Sequence, residues 1–286
     1  MTDSHRKFVS VIVPVYKDWH KAERCIEALS LQTYPRDWYE IIVVDNDESS
    51  PGHQLLHDCI LISEPKPGSY AARNAGLQIA KGEILAFTDA DCLPDKRWLE
   101  NAVSYLAERQ VDRLAGHVEI FFQEPGYSLA HTYEKAFAFN QKSYAADGHS
   151  VTANLFAYRY VFEKVGHFNQ EMMSGGDFEW NRRATKQGFS LAYCESSVVF
   201  HPARTSMREI RQKALRVAGG QIYRLPRFWF LRAFMPPIGV ARSLATKNNL
   251  TVTEKIIAFF LAYSMKLYKL KAIVLVKFGM SKPARL

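Results

Sequence analysis

An apolar segment is followed by closely spaced acids in Glu83-Ile-Leu-Ala-Phe-Thr-Asp-Ala-Asp-Cys-Leu-Pro-Asp95. Its apolar run from Ile84 to Phe87 predicts a buried strand, and Asp89 and Asp91 follow at the strand end. Two carboxylates two residues apart project to the same side while the chain stays extended. Because such carboxylates repel each other unless a cation lies between them, the pair indicates half of a divalent-metal site. The structural alternative is a polar turn after a strand.

Two earlier segments have the same character. Residues 8–16 and 39–44 are β-branched and almost wholly apolar, which is typical of parallel strands buried on both faces, and the second ends on Asp45-Asn46-Asp47. Between them, residues 19–29 show apolar side chains at helical spacing. Strand, helix and strand predict a right-handed βαβ unit. The sequence therefore predicts an α/β fold that binds its ligand at the carboxyl ends of the strands.

No glycine-rich loop follows either strand, so neither the dinucleotide fingerprint nor the phosphate-cradling loop is present. A nucleotide on this sheet would have its base and ribose held by carboxylates and its phosphates held through a metal. A helix entered after Pro65-Lys-Pro-Gly68 carries Arg73 and Asn74 in its first turns. From there a basic side chain can reach a ligand at the sheet edge; the alternative for Arg73 is a solvated helix charge.

Further candidates lie closer to the C-terminus. Gly175-Gly176 precede Asp177, and a helix is predicted from about Phe178 to Lys186. Asp177 then stands at the helix N-terminus as a cap or an active-site carboxylate, with Glu179 just inside. Two short strands are predicted at 189–193 and 197–200, and the second ends on His201. A single histidine is more often structural than a metal ligand.

Composition limits the class of protein. The four cysteines form no CxxC pair, which argues against a zinc module or a disulfide framework and suits a reducing cytosol. Residues 1–7 show no signal-peptide pattern, so we expect a cytoplasmic protein. The net charge of +8 favours anionic partners. No nucleic-acid recognition module is visible, and we expect no nucleic-acid partner.

The composition changes after residue 204, where basic and aromatic residues accumulate. We predict a catalytic domain over 1–204 and a basic, aromatic-rich helical region over 205–286. The uncharged run from Ile256 to Met265 is shorter than the roughly 20 residues of a membrane-spanning helix. It is typical of a helix lying on an anionic membrane surface, here the inner face of the cytoplasmic membrane. The alternatives are packing on the catalytic domain or on a second copy of the chain, as a homodimer.

The order of these motifs resembles the inverting family-2 glycosyltransferases of the GT-A fold. The resemblance runs from about Val9 to His201 and rests on six pieces: Val11-Ile-Val-Pro-Val-Tyr16, Val44-Asp-Asn-Asp47, Gly68-Ser-Tyr-Ala-Ala-Arg-Asn-Ala-Gly76, Asp89-Ala-Asp91, Gly176-Asp-Phe-Glu-Trp180 and His201. It implies a mostly parallel central sheet flanked by helices, with a C-terminal α-helical appendage. It also implies transfer of a sugar, with inversion, from a UDP-linked nucleotide-sugar to a hydroxyl of a glycan or lipid-linked acceptor in envelope polysaccharide or glycolipid synthesis. The alternative is a non-catalytic binding protein of the same fold.

The resemblance also implies roles for individual residues. Asp91 would ligate Mn²⁺ or Mg²⁺, with Asp89 toward the ribose or a metal-bound water and His201 as a further ligand. Asp177 matches the catalytic base. The family's usual Glu-Asp pair is Gly176-Asp177 here, so the first acid is missing and Glu179 becomes a second candidate base. Donor-binding positions are carried over to Pro14, Tyr16, Asp45, Asp47, Arg73, Asn74, Asp89 and Ala90.

One departure concerns the number of sugars transferred. The processive synthases of the family carry a Gln-x-x-Arg-Trp pattern, whereas this chain has Gln212-Lys-Ala-Leu-Arg216, with one residue too many and no Trp. We therefore predict transfer of a single sugar.

Overall fold

The computed structural model describes residues 6–49, 58–122, 128–221 and 235–277. Residues 222–234 and 278–286 of the predicted C-terminal region lie outside the described residues. Eight strands occur in the described part: β1 Val9–Val15, β2 Tyr39–Asp45, β3 Ile60–Ser63, β4 Ile84–Phe87, β5 Leu93–Pro94, β6 Arg113–Phe121, β7 Leu155–Tyr158 and β8 Leu191–Pro202. The helices described are α1 Trp19–Ser30, α2 Ser69–Ile79, α3 Trp98–Arg109, α4 Leu129–Phe137, α5 Gln141–Ala146, α6 Arg159–Val165, α7 Gly176–Lys186, α8 Met207–Gln221, α9 Ile238–Ala245 and α10 Val252–Lys277.

The strands form one sheet in the order β3-β2-β1-β4-β7-β6-β8-β5. β1 pairs in parallel with β2 and β4, and β2 pairs in parallel with β3. The pairs β4–β7, β6–β7 and β5–β8 are antiparallel. The carboxyl ends of β1, β2 and β4 therefore lie at the same edge of the sheet, as the predicted α/β fold requires.

Both faces of the sheet are covered, which explains the nearly continuous apolar strands. Along β1, Val11 and Val13 pack into a core with α1 and α3, whereas Ile12 packs into a second core with α2, α6 and α7. The alternation follows from the two-residue side-chain period of a strand. The same helices carry the polar residues of the sheet edge, so this packing fixes where those residues lie.

The predicted pair of short strands near residue 200 is wrong, because β8 runs unbroken over twelve residues. The polar Glu195-Ser196-Ser197 segment suggested a break. Ser197 is fully buried, but its hydroxyl donates to the Trp98 carbonyl oxygen and its own carbonyl oxygen accepts from Asn154. Because these polar groups are satisfied inside the protein, the strand continues to His201 and beyond.

The contact pattern divides the chain into two compact units: residues 1–119 with 139–201, and residues 120–138 with 202–286. In the second unit α10 packs on α4, α8 and α9. Its apolar contacts centre on small clusters such as Ala130, Ile210 and Met265. The boundary at residue 204 stays a prediction of domain organisation. Among the described helices, none is both long enough and apolar enough to cross a membrane.

Candidate active site at the strand ends

Four potential metal ligands meet where β4 ends. The antiparallel pairing of β5 with β8 sets Leu93 opposite Phe200, which brings His201 beside the residues just before Leu93. One ligand atom from each of Asp89, Asp91, Cys92 and His201 lies within 4.8 Å of the others. The structure thus brings together the three candidate metal ligands that the family resemblance implied, Asp89, Asp91 and His201.

The donor set fits a divalent cation. His201 Nε2 lies 3.8 Å from Asp91 Oδ1, and the His201 ring is buried against the ring of Phe139, with centroids 4.9 Å apart. Carboxylate oxygens suit Mg²⁺ and Mn²⁺, and imidazole is a common partner for transition metals, whereas thiols select softer ions. Asp89, Asp91 and His201 can therefore hold such a cation, while Cys92 fits it poorly.

Arg73 places a positive charge at the same edge. Its guanidinium forms an ion pair with Asp89, and its side chain is only 3% exposed. Nη1 also donates to the Ser69 carbonyl oxygen at 3.2 Å, but Nε is buried without a hydrogen-bond partner. The alternative of a solvated helix charge is therefore wrong. A buried donor left unused at a ligand edge is one that an anionic ligand can satisfy.

Asp177 lies in the first turn of α7, where Gly175 occupies the N-cap position, so it is not the cap. Its Oδ1 accepts hydrogen bonds from the Tyr70 hydroxyl at 3.1 Å and from the Phe178 amide at 2.9 Å. Among the described residues, Oδ2 accepts no hydrogen bond. Burial raises the pKa of Asp177, and the two hydrogen bonds and the charge of Arg73 offset part of this rise.

Glu179 lies in a different environment on the same helix. Its Oε1 accepts from Arg183 Nε at 2.9 Å, one turn further along α7. Arg183 also donates to the carbonyl oxygens of Val165 and His167. Glu179 therefore belongs to a network that joins α7 to the end of α6.

The candidates for nucleotide binding lie at the ends of β1 and β2. Val15 is paired with Asp45, so Tyr16, 54% exposed, and half-buried Pro14 lie beside the Asp45 strand end. Asp45 is buried and its Oδ1 accepts from the Asp47 amide at 3.1 Å. Asp47 in turn accepts from the Ser49 hydroxyl at 2.7 Å.

Two donor-binding candidates are engaged elsewhere. Both polar ends of the Asn74 amide bond to the Phe168 backbone, through Nδ2 at 2.9 Å and Oδ1 at 3.1 Å. Ala90 packs against the core of α1 and α3. Neither contact contradicts a donor-binding role, but the Asn74 contact by itself explains why an amide is buried there.

Sequence reasoning missed two residues of this site. Asn46 braces the loop before α2: its Nδ2 donates to the carbonyl oxygens of Glu64 and Lys66, and its Oδ1 accepts from the Gly68 amide. Tyr70, part of a quoted motif but given no role, is the partner of Asp177. An Asn directly after a buried strand is a sequence signal for such a brace, because its amide satisfies loop backbone.

Arg113 fixes the position of α7. It is fully buried, and it donates to Asn181 through Nη1 at 2.7 Å and to Thr185 and the Phe189 carbonyl oxygen through Nη2. Asn181 Nδ2 then donates to the Asp177 carbonyl oxygen at 3.0 Å. Burial lowers the pKa of Arg113 to about 10, so it stays charged at neutral pH.

Comparison with known proteins identifies the family of the chain. The family model for glycosyl transferase family 2 matches residues 10–166. Glycosyltransferase AglE of Haloferax volcanii is 38% identical over 224 residues, which span 75% of this chain and 73% of that protein. A Methanococcus voltae protein is 21% identical over 254 residues, or 81% of this chain and 78% of its own. Its name is dolichyl N-acetyl-alpha-D-glucosaminyl phosphate 3-beta-D-2,3-diacetamido-2,3-dideoxy-beta-D-glucuronosyltransferase.

Solved structures share the fold. The mannosyltransferase PcManGT from Pyrobaculum calidifontis, solved in complex with GDP-Man and Mn²⁺, aligns with a TM-score of 0.61 and 21% identity, over 96% of this chain and 88% of its own. TarS of Staphylococcus aureus aligns with a TM-score of 0.52 and 15% identity, over 95% of this chain and 55% of its own. These similarities confirm the predicted GT-A fold. The extent of the family match and the identity to AglE show that the chain is a glycosyltransferase and belongs to glycosyl transferase family 2.

Proposed function

We propose that this glycosyltransferase moves one sugar, with inversion, from a nucleotide-sugar to a hydroxyl of a glycan or lipid-linked acceptor, with Asp177 as the base. One observation carries the proposal. Tyr70 and Arg73 lie three residues apart on α2, and Tyr70 contacts Asp177 while Arg73 contacts Asp89 of the metal-ligand group. A single helical turn therefore joins the candidate base to the candidate diphosphate site.

The donor side uses the strand ends. Asp45 accepts hydrogen bonds from the base or ribose, with Pro14, Tyr16 and Asp47 around it. Asp89, Asp91 and His201 hold a divalent cation, Mn²⁺ or Mg²⁺, which neutralises charge on the departing diphosphate when it is bound. Arg73 supplies a second positive charge there.

The acceptor side uses Asp177. As the acceptor oxygen bonds to the anomeric carbon, its O–H bond breaks and the proton passes to Oδ2, the carboxylate oxygen that accepts no other hydrogen bond among the described residues. The bond from the anomeric carbon to the diphosphate oxygen breaks at the same time, and its electron pair leaves with the nucleotide. A raised pKa suits this task, because base catalysis is most efficient when the base titrates closer to the working pH. One displacement inverts the anomeric centre.

The donor nucleotide and the acceptor follow from relatives rather than from geometry. UDP is the nucleotide implied by the family resemblance, while PcManGT was solved with GDP-Man. The name of the Methanococcus voltae relative contains a dolichyl-linked sugar phosphate, which supports a lipid-linked acceptor.

Hydrolysis of the donor tests the proposal. The full-length protein is incubated with a panel of UDP- and GDP-sugars and with Mn²⁺, Mg²⁺ or EDTA, and the released nucleotide is measured. We expect slow release from one donor, abolished by EDTA and by Asp91→Ala. Asp37→Ala is the matched control, because Asp37 is an exposed acid just before β2, at the amino end of that strand. Release that ignores EDTA, or equal loss in both variants, would contradict the metal assignment; no turnover of any donor would contradict the proposal as a whole.

We also propose that an anionic lipid surface, at the inner face of the cytoplasmic membrane, is the partner of the second unit. On α10 the side chains of Val252, Ile256 and Phe260 lie four residues apart and are 74%, 54% and 64% exposed. Residues 235–277 contain the basic residues Arg242, Lys247, Lys255, Lys266, Lys269, Lys271 and Lys277 and a single acid, Glu254. Two copies of so basic a segment would repel each other, which favours anionic lipid over a homodimer.

A further inference from the structure

Gly176, which stands where the family pattern has its first acid, is in close contact with Tyr70. A Cβ atom at position 176 would lie 2.7 to 2.9 Å from three carbons of the Tyr70 ring. The ring is itself fixed, since Tyr70 is 5% exposed and its centroid lies 5.7 Å from that of Phe168. No residue larger than glycine fits at position 176 while the ring stays in place.

The Tyr70 hydroxyl reaches the neighbouring residue, Asp177. Tyr70 and the Phe178 amide both donate to Oδ1 of this carboxylate. Two donors on one oxygen fix the plane of the carboxylate and leave the other oxygen, Oδ2, for the acceptor. Burial raises the pKa of the Tyr70 hydroxyl, so it stays protonated and acts only as a donor at neutral pH.

We propose that Tyr70 is a positioning residue for the base and takes the place of the missing acid. Its ring occupies the space that a side chain at position 176 would need, and its hydroxyl holds Oδ1 so that Oδ2 faces the acceptor hydroxyl. The inference rests on the proposed function, because it assumes that Asp177 is the base. It adds that the Tyr70 ring requires a glycine at position 176, so that changing either residue alone should reduce turnover.

Electrostatics explain why a neutral donor serves well here. The groups that act on Asp177 are Tyr70 and Arg73 on α2, Asp89 after β4 and Tyr144 on α5. A carboxylate at position 176, next to Asp177, would oppose its ionisation by like-charge repulsion. A tyrosine hydroxyl instead favours the ionised base by donating to it, without adding charge.

The variant Tyr70→Phe tests the hydroxyl and keeps the ring. We expect kcat for donor hydrolysis to fall about tenfold, the usual worth of a hydrogen bond to a charged group, with KM for the donor nearly unchanged. The acidic limb of the pH–kcat profile should move upward by about one pH unit, because the ionised base loses a donor. Equal kcat and an unmoved acidic limb would overturn the inference.

Tyr160→Phe is the matched control. Tyr160 also donates its hydroxyl to an aspartate, Asp112, and this hydrogen bond involves neither Asp177 nor the candidate metal ligands. The control should lose stability without moving the acidic limb. If both variants reduced kcat alike and moved neither limb, Tyr70 would be a structural residue only.

A second pair of variants tests the matched space. Gly176→Ala should reduce kcat by a similar factor, because the new Cβ displaces the Tyr70 ring. In a Tyr70→Ala background the same change should cause no further loss. Additive losses in the double variant would show that Gly176 is needed for another reason and would overturn the pairing.

Asp177→Asn separates this inference from the proposed function. If Asp177→Asn keeps wild-type turnover, Asp177 is not the base and both proposals are wrong. If Asp177→Asn is inactive while Tyr70→Phe matches wild type, only the role of Tyr70 is wrong. Melting temperature gives a readout that does not depend on turnover. The loss in melting temperature caused by Tyr70→Phe should be smaller in the Asp177→Asn background, because the carboxylate charge is gone there. An equal loss in both backgrounds would contradict the contact between Tyr70 and Asp177.

Discussion

Asp177 and Glu254 occupy the same place in two helices, the first turn, yet their carboxyl groups are perturbed in opposite directions. In the first unit, burial raises the pKa of Asp177 at the start of α7. In the second unit, the pKa of Glu254 at the start of α10 is lowered to about 2 by hydrogen bonds from Lys135 and the Thr251 amide. Glu254 and Thr251 form a capping box, since the Glu254 amide also bonds to the Thr251 hydroxyl.

The difference teaches that location at a helix N-terminus does not decide what a carboxylate does. The helix dipole favours both ionised groups by a similar, small amount. What differs is burial and direct contact with a cation: Asp177 is desolvated, and its two neutral donors and the charge of Arg73 offset only part of the rise in its pKa, whereas Glu254 accepts a hydrogen bond directly from Lys135. Glu254, which is paired with a cation, stabilises the start of its helix, whereas Asp177, which is desolvated, can accept a proton.

The largest expected effect is on turnover. Asp177→Asn should lower kcat for donor hydrolysis by about 10²- to 10⁴-fold, the usual contribution of a general base. Glu254→Gln should leave kcat unchanged, and Glu179→Gln should do nearly the same, because Glu179 is committed to Arg183. Steady-state release of nucleotide measures all three. A larger loss in Glu179→Gln than in Asp177→Asn would transfer the role of base to Glu179.

Two arginines extend the comparison to stability. Arg113→Ala leaves the buried acceptor on Asn181 and the part-buried acceptors on Thr185 and Phe189 without this donor, so we expect a loss of about 3 kcal/mol in the free energy of unfolding. Arg211 in the second unit is exposed and lies over the Tyr268 ring at 5.9 Å. Arg211→Ala should cost no more than about 1 kcal/mol. Urea unfolding followed by circular dichroism measures both, and equal losses would contradict the assigned burial.

The features that could be predicted are those that leave a local pattern in the sequence. Apolar runs predicted β1, β2 and β4, and the acids that follow β2 and β4 predicted the edge at which Asp45, Asp89 and Asp91 lie. The helix after Gly175-Gly176 was also predicted, but from about Phe178, two residues later than α7 begins. These features follow from side-chain periodicity and from polar residues at strand ends, which a single sequence displays.

The remainder depends on contacts between residues far apart in the chain. Tyr70 and Asp177 are separated by 107 positions, and nothing near Tyr70 in the sequence indicates that a carboxylate will meet its hydroxyl. His201 became a ligand candidate only through the family resemblance, because the β5–β8 pairing that brings it to Asp91 leaves no local signal. The capping box at Thr251 and Glu254 was readable from the sequence and was missed.

A third variant tests the exposed apolar side chains of α10, Val252, Ile256 and Phe260, as a lipid-binding surface. The double variant Ile256→Glu/Phe260→Glu should bind liposomes containing phosphatidylglycerol about 100-fold more weakly, because each change removes a side chain whose burial is worth about 1.5–3 kcal/mol. Ser264→Glu is the control, as it adds a charge on the exposed side of the same helix without removing apolar area. Co-sedimentation at low salt measures binding. Equal binding by all forms, or a dimer in light scattering that the double variant dissociates, would contradict the lipid proposal.

The smallest expected effect is on the pH dependence of stability, in which Asp177 and Glu254 should differ. Because the pKa of Asp177 is raised in the fold, ionising it destabilises the protein as the pH rises above the ordinary value of 3.8. Asp177→Asn should therefore be more stable than wild type at pH 7, with an advantage that vanishes as the pH falls toward 4.

Ionisation of Glu254 has the opposite effect on stability: its lowered pKa stabilises the fold above pH 4.5, and this contribution is lost as the pH falls toward 2. Glu254→Gln should accordingly be less stable than wild type at pH 7. Urea midpoints of the two variants and of wild type at pH 4.5 and pH 7 measure these changes in stability. If both variants were more stable than wild type at pH 7, or both less stable, the two carboxyl groups would not be perturbed in opposite directions.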